Sequence, residues 1–201
     1  MPLLQVRELR TAQFGPIDFT LDSGGLLLVA GPSGSGKSRL LRALADLDPH
    51  EGEARLHDMA MNDMPAHRWR AQIGLLPAEP AWWEETALAH FPQPPSAERL
   101  ERLALTPALL ETPINRLSSG ERQRLALLRL LARAPRVLLL DEPTANLDPD
   151  SAARVEALIA EYLSSTQAGA LWVSHDPLQR QRLGARVLRL PEGRILPEET
   201  A

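Results

Sequence analysis

The sequence predicts an α/β domain in which a mostly parallel core sheet lies beside an antiparallel β layer and carries a small inserted helical subdomain. Three observations lead there. The apolar runs Leu26 to Ala30, Val137 to Leu140 and Ala170 to Val173 are continuous rather than alternating, as in strands covered on both faces. Helix-length amphipathic segments separate such runs, the pattern of a parallel sheet with crossover helices. Between about Glu79 and Leu117 the texture changes, because Pro80, Pro92, Pro94, Pro95, Pro107 and Pro113 allow only short helical stretches.

Taken in chain order, Ile17 to Leu21 alternates apolar and polar residues and reads as a half-exposed strand of the antiparallel layer, with Glu53 to Leu56 as a companion. Leu26 to Ala30 is the first buried strand and stops at Gly31. Ser38 to Leu47 follows as a helix, since Leu40, Leu41, Leu44 and Leu47 recur at near-helical spacing and Pro49 lies beyond its end. Ser96 to Leu103 is a short helix of the insert, and Arg122 to Arg133 a long one after it. Val137 to Leu140, Ala170 to Val173 and Val187 to Leu190 complete the central strands. The expected organisation is one domain over residues 1–201, with residues 1–77 and 118–201 as the α/β core and 78–117 as the helical subdomain.

Composition narrows the function. A chain of 201 residues with 44% hydrophobic and 24% charged residues can bury its own core. The net charge of −4 provides no electrostatic footprint for nucleic acid, so no nucleic-acid partner is expected. The absence of cysteine removes disulfides, thiolate chemistry and Cys-based zinc sites. The start lacks the apolar stretch of a secretory signal, and the longest apolar runs fall far short of the ~20 residues that span a bilayer. No direct membrane span is expected, and a membrane role would pass through a partner.

The chemistry is concentrated in a few segments. Gly31-Pro32-Ser33-Gly34-Ser35-Gly36-Lys37-Ser38 fits G-x-x-x-x-G-K-[ST], directly after a buried strand and opening a helix. Its glycines let successive N–H groups curl around phosphate oxygens, and the helix N-terminus adds positive potential. Lys37 would reach the β and γ phosphates of a nucleotide, and the Ser38 hydroxyl would hold Mg²⁺. Asp141, at the end of the run Val137 to Leu140, is placed to hold the same Mg²⁺. Glu142 comes next, where a carboxylate can orient and deprotonate a water attacking the γ-phosphate.

Two further segments extend the pattern. Leu117-Ser118-Ser119-Gly120-Glu121 precedes the long helix, and Ser174-His175-Asp176 follows the strand Ala170 to Val173. With Asp141-Glu142-Pro143-Thr144-Ala145-Asn146-Leu147-Asp148 between them, these resemble the signature motif, the switch histidine, and the Walker B and D-loop segments of ABC ATPases. The resemblance, four motifs in order over nearly the whole chain, implies a P-loop NTPase of ABC type that binds ATP and Mg²⁺ and closes into an ATP-dependent head-to-tail homodimer. Ser118, Ser119 and Gly120 would then offer a hydroxyl and backbone N–H groups to the γ-phosphate of a partner's ATP. Asp148 would lie at the dimer seam, and His175 would contact the γ-phosphate and position the water with Glu142.

The chain departs from that family in three places. Where a glutamine usually follows the strand leading into the insert, Ile73-Gly74-Leu75-Leu76-Pro77-Ala78-Glu79-Pro80 places Ala78, which has no polar side-chain atom to complete the metal shell. Near the start, where an aromatic ring usually stacks on adenine, Phe14 is the one ring upstream of Ile17, and a stacking role and a core role stand side by side. In the signature, Ser119 and Glu121 replace the commoner Gly and Gln. The segment from His57 to His67 holds Met59, Met61 and Met64, read as packing rather than as a soft-metal site.

The resemblance implies the ATP-hydrolysing subunit of an ABC transporter, peripheral at the cytoplasmic face of the inner membrane and docked on an integral membrane permease subunit. Ala81-Trp82-Trp83-Glu84-Glu85 is the candidate docking surface, because two adjacent Trp side chains do not both face one side of an element, and burial of both in the interface between subdomains stands beside it as the alternative. Within the family the chain looks most like the short bacterial iron-efflux group (FetA-like), with metal or iron export as the implied transport and the haem exporters of cytochrome c biogenesis as an alternative. A soluble ABC-type ATPase of repair, chromosome maintenance or translation is the other class, but it would carry a long insertion or a tandem second domain. A P-loop kinase would lack the Leu117 to Glu121 signature and His175. With one nucleotide-binding domain filling the length, no regulatory or cargo-binding appendix is expected.

Overall fold

The computed structural model describes residues 2–190. Two sheets make up its framework. The strands β1 (Leu4–Arg10), β2 (Ile17–Leu21), β4 (Glu51–Leu56) and β5 (Met59–Ala60) form an antiparallel sheet in the order β2-β1-β4-β5. The strands β3 (Leu26–Ala30), β6 (Ile73–Leu76), β7 (Val137–Asp141), β8 (Gly169–Val173) and β9 (Arg186–Arg189) form a sheet in the order β6-β7-β8-β3-β9, in which every pairing is parallel. All of β7 and β8 is buried, as their unbroken apolar runs require.

The helices are α1 (Lys37–Leu44), α2 (Ala66–Gln72), α3 (Ala97–Arg102), α4 (Ser119–Leu131), α5 (Pro149–Thr166) and α6 (Pro177–Leu183). The sequence places α1 three residues further, to Leu47, but the chain turns out of the helix at Asp46, whose φ is +55°. The carbonyl of Leu44, left without an intrahelical partner, instead accepts a 2.7 Å hydrogen bond from the buried indole N–H of Trp69 on α2. Helix α4 starts earlier than expected, because Ser118 and Glu121 close a capping box around its first turn. Helix α5 opens on an Asp148 cap with Pro149 in its first turn.

The proline-rich stretch between β6 and α4 contains α3 and 3₁₀ turns at Leu88–His90, Pro107–Leu110 and Ile114–Arg116. Its apolar residues Ala87, Phe91, Leu100, Leu103, Leu105 and Leu110 pack with α4 and α5 on one side of the parallel sheet. An ion pair between Arg102 of α3 and Glu161 of α5 ties it to the core. The opposite side of the sheet packs against α1 and the antiparallel layer. Alternation along each strand divides the two cores: Leu27, Val29, Val137, Leu139, Leu171 and Val173 face one, while Leu28, Leu138, Leu140, Ala170 and Trp172 face the other. Among the described residues no helix is long and apolar enough to cross a membrane.

Candidate functional site

Parallel pairing sets the chemistry-bearing residues side by side. Val173 of β8 is in register with Asp141 of β7 on one side and Val29 of β3 on the other. The chain therefore leaves three neighbouring strands at one level: β7 into Glu142, β8 into Ser174 and His175, β3 into the loop Gly31 to Ser38. Crevices at the carboxyl edge of a parallel sheet are where such folds bind ligands.

The loop from Gly31 turns into α1 through Gly36, whose φ of +94° lies where side chains are rarely tolerated and whose missing Cβ would come within 3.2 Å of the Phe14 ring. Lys37 is 6% exposed and its ammonium donates to the carbonyls of Gly31 at 2.9 Å and Pro32 at 2.8 Å. Burial holds its pKa below the usual lysine value, opposed by the charges of Glu142 and Asp141. The Ser35 hydroxyl is buried with no hydrogen-bond partner, while Ser33, Gly34 and Ser38 are exposed at the loop surface. A cationic head folded onto its own loop, an orphaned hydroxyl and a helix N-terminus together suit phosphate oxygens.

Asp141 is 7% exposed, and burial pushes its carboxyl above the ordinary aspartate range, opposed by a hydrogen bond from Ser38. A buried carboxylate beside a serine hydroxyl is a hard oxygen donor pair that fits a small divalent cation. Glu142 sits at φ +50°, with its backbone N–H donating to the carbonyl of Val173 at 3.2 Å. That unusual turn aims its carboxylate at His175: Oε1 and Nε2 are 3.0 Å apart.

Ser118, Ser119, Gly120 and Asp148 form a separate group. The Ser118 backbone N–H and hydroxyl both donate to Glu121 Oε2 at 2.8 Å, and the Glu121 N–H donates back to Ser118 Oγ. These bonds, the backbone one first, hold the Glu121 carboxyl below its usual range. Gly120 lies against the D-loop, where an added Cβ would come within 3.0 Å of Leu147 Cδ2. Asp148 is exposed and accepts from the Ser151 N–H at 2.9 Å as the cap of α5. Among the described residues no hydrogen bond or ion pair joins this group to the loop Gly31 to Ser38, so the sequence-marked residues fall into two clusters on one chain.

The departures take definite form. Phe14 is 4% exposed and belongs to the core beside Gly36, so it takes the core alternative and offers no free face for adenine. Ala78 and Glu79 are exposed just beyond β6. Trp83 is 71% exposed while Trp82 is half-buried, with the Arg129 guanidinium 4.3 Å from the Trp82 ring. His90 Nε2 accepts from the Trp83 and Glu84 N–H groups at 3.0 and 3.2 Å and fixes this loop. Met61 is core and Met64 packs against it, as the packing reading requires, whereas Met59 in the two-residue strand β5 is 51% exposed and outside the core. Sequence reasoning missed Gln179, buried at 4% exposure among polar groups, since nothing local marks it.

A parallel sheet with a P-loop, an acid pair and a histidine at its carboxyl edge, plus a capped signature helix, defines a nucleotide-hydrolysing cassette. Residues 14–145 match the family described as ABC transporter. The chain belongs to that family, as an ATPase subunit of the ABC type. It is 35% identical over 205 residues to the phosphate import ATP-binding protein PstB of Aeropyrum pernix, covering 90% of this chain and 81% of the relative. It is 36% identical over 172 residues to the probable iron export ATP-binding protein FetA of Escherichia coli, covering 80% and 76%. The lipoprotein-releasing system ATP-binding protein LolD of Maricaulis maris is 37% identical over 203 residues, with 89% and 85% covered. In fold, the chain superposes on the ATP-binding cassette MJ0796, solved as a dimer in a post-hydrolysis state bound to ADP and Pi, with a TM-score of 0.83 at 24% identity and 98% of both chains covered.

Proposed function

We propose that this chain hydrolyses Mg·ATP at a composite site shared by two copies and thereby drives a membrane permease from the cytoplasmic face of the inner membrane. The observation that carries the reading is the 3.0 Å approach of Glu142 Oε1 to His175 Nε2, level with the P-loop and Asp141 at one sheet edge. In the proposed cycle the loop Gly31 to Gly36 cradles the phosphates, and Lys37 exchanges its two carbonyl contacts for phosphate oxygens. Ser38 and Asp141 would hold Mg²⁺, which supplies neutralisation of the developing phosphate charge. Glu142 takes the proton of the attacking water, and His175 orients that water and the γ-phosphate. Ser118, Ser119 and Gly120 of a second copy close over the γ-phosphate, which accounts for their separation from the P-loop within one chain, while Asp148 meets the partner across the seam.

Residues 78–117 serve in this reading as the docking subdomain, with the exposed Trp83 ring as the apolar contact for the permease. The cargo we assign is metal or iron, iron export being what the name of the E. coli relative gives as probable for that protein; a strain lacking the gene should lose metal tolerance, and unchanged tolerance and iron content would remove that assignment. The ATPase reading is tested by Glu142→Gln. The variant should retain Mg·ATP, accumulate as a dimer in size-exclusion chromatography with ATP, and lose turnover by about 100-fold or more. A variant that stays monomeric with ATP, or hydrolyses it normally, removes Glu142 from the role.

A further inference from the structure

The geometry points to Gln179 as a positioning residue that locks the His175 turn to the D-loop, so that the acid–histidine pair and the segment reaching the partner's site move as one unit. This rests on the reading of Glu142 and His175 given above. Gln179 lies in α6 and is only 4% exposed, yet both ends of its amide are used. Its Oε1 accepts from the Ser174 hydroxyl at 2.6 Å. Its Nε2 donates to the Thr144 hydroxyl at 2.8 Å and to Glu156 Oε1 at 2.8 Å. Ser174 immediately precedes His175, and its Oγ also accepts from the Asp176 N–H at 3.2 Å, so the turn carrying His175 is fastened from both sides. Thr144 lies two residues after Glu142 and four before Asp148, and Glu156 is held in place by Arg182 at 3.0 Å. One side chain thus ties together the ends of β7 and β8 and helix α5.

The amide stands at the wall of a cavity of about 430 Å³ that Glu142, Thr144, Leu147 and His175 also line. The 3.0 Å separation of Glu142 and His175 depends on where two turns sit, and past the strand ends the backbone carries the ladder one residue further, with the Glu142 N–H on the Val173 carbonyl at 3.2 Å and the Ser174 N–H on that of Val29 at 3.4 Å. A buried amide with one acceptor and two donor contacts in this position fixes both turns against each other. It touches no reacting atom and acts through Ser174 and Thr144.

The test uses the full chain with Mg·ATP and reads kcat, KM and the unfolding midpoint together. Gln179→Leu, close in volume and without hydrogen-bonding atoms, should lower kcat about 10-fold while KM for ATP stays within about twofold. Gln179→Glu alone should do the same, because it sets an acid against Glu156. Combined with Glu156→Gln, which exchanges amide and carboxylate across the same contact, it should restore kcat to within about twofold, since Ser174 and Thr144 can both donate to the acid. A wild-type kcat for Gln179→Leu, a loss of kcat and ATP affinity in step with a lowered midpoint, or failure of the exchanged pair to recover while it folds normally would each overturn the proposal. Glu142→Gln run beside them separates the two readings: if it is inactive and Gln179→Leu is normal, only the positioning role falls, whereas normal turnover by Glu142→Gln overturns the site reading beneath it.

Discussion

Asp48 accepts from Arg42 in a forked contact, at 3.0 Å from Nε and 2.7 Å from Nη2, just after the helix that follows the P-loop. The guanidinium hydrogen bond holds the Asp48 carboxyl below its usual range. A depressed carboxyl contributes stability above the ordinary carboxylate pKa, and that contribution is lost as pH falls through the folded-state value. Asp48→Asn should therefore unfold at lower urea than wild type at pH 7, by about 0.5–1 kcal/mol, and the gap should shrink as pH drops below about 4. A gap independent of pH would assign the loss to shape rather than charge. Ala78 makes the complementary case, a position where a polar group is missing. In the proposed site, Ala78→Gln would supply a polar contact to water or metal at the exposed end of β6 and should raise the partner-stimulated ATPase rate several-fold; an unchanged rate would mean that the glutamine's role is already met elsewhere.

At the level of elements, the end of α1 is set by a partner 25 residues away in sequence. The Trp69 indole takes the Leu44 carbonyl in a fully buried contact. Trp69→Phe keeps most of the apolar volume but leaves that carbonyl orphaned, at a cost of about 1–3 kcal/mol in urea unfolding. A variant as stable as wild type would show that the carbonyl finds another donor. The same long-range contact explains why leucine spacing overruns the helix by three residues. Strand β1 escapes a sequence reading for a different reason: its register slips between Val6 and Leu9, with Glu8 at φ +47°, so its apolar positions do not alternate cleanly. Strands β3, β7 and β8 are legible because their apolar runs end at turns or charges, whereas β5 is too short to carry a pattern and β6, the fifth strand of the parallel sheet, is marked only by the family resemblance. Helix α5 carries a usable signal in Asp148-Pro149, a cap followed by proline, which the D-loop resemblance masks. The P-loop, Asp141, Glu142 and His175 are legible because each lies at the end of a buried strand or within two residues of it. Gln179 is not, because Ser174, Thr144 and Glu156 reach it from three different elements.

For the molecule as a whole, parallel register does most of the assembly, since one row of paired residues, Val29, Val173 and Asp141, puts three turns at one edge. The sequence named those turns but not their order across the sheet, which follows from crossover connections rather than from any local pattern. Composition likewise indicated a chain able to bury a core, while its division into two cores depends on which face of each strand meets which layer.

That division has an evolutionary consequence. The five-stranded sheet keeps the nucleotide-side core, with α1 and the antiparallel layer, apart from the core shared by the proline-rich segment, α4 and α5. Substitutions that repack the second core leave the packing of α1 beneath the phosphate loop in place, because alternation along the strands puts the two sets of side chains on opposite faces of the sheet. The two cores can therefore diverge at different rates, the second carrying with it the capped turns of α4 and α5 at Ser118 and Asp148.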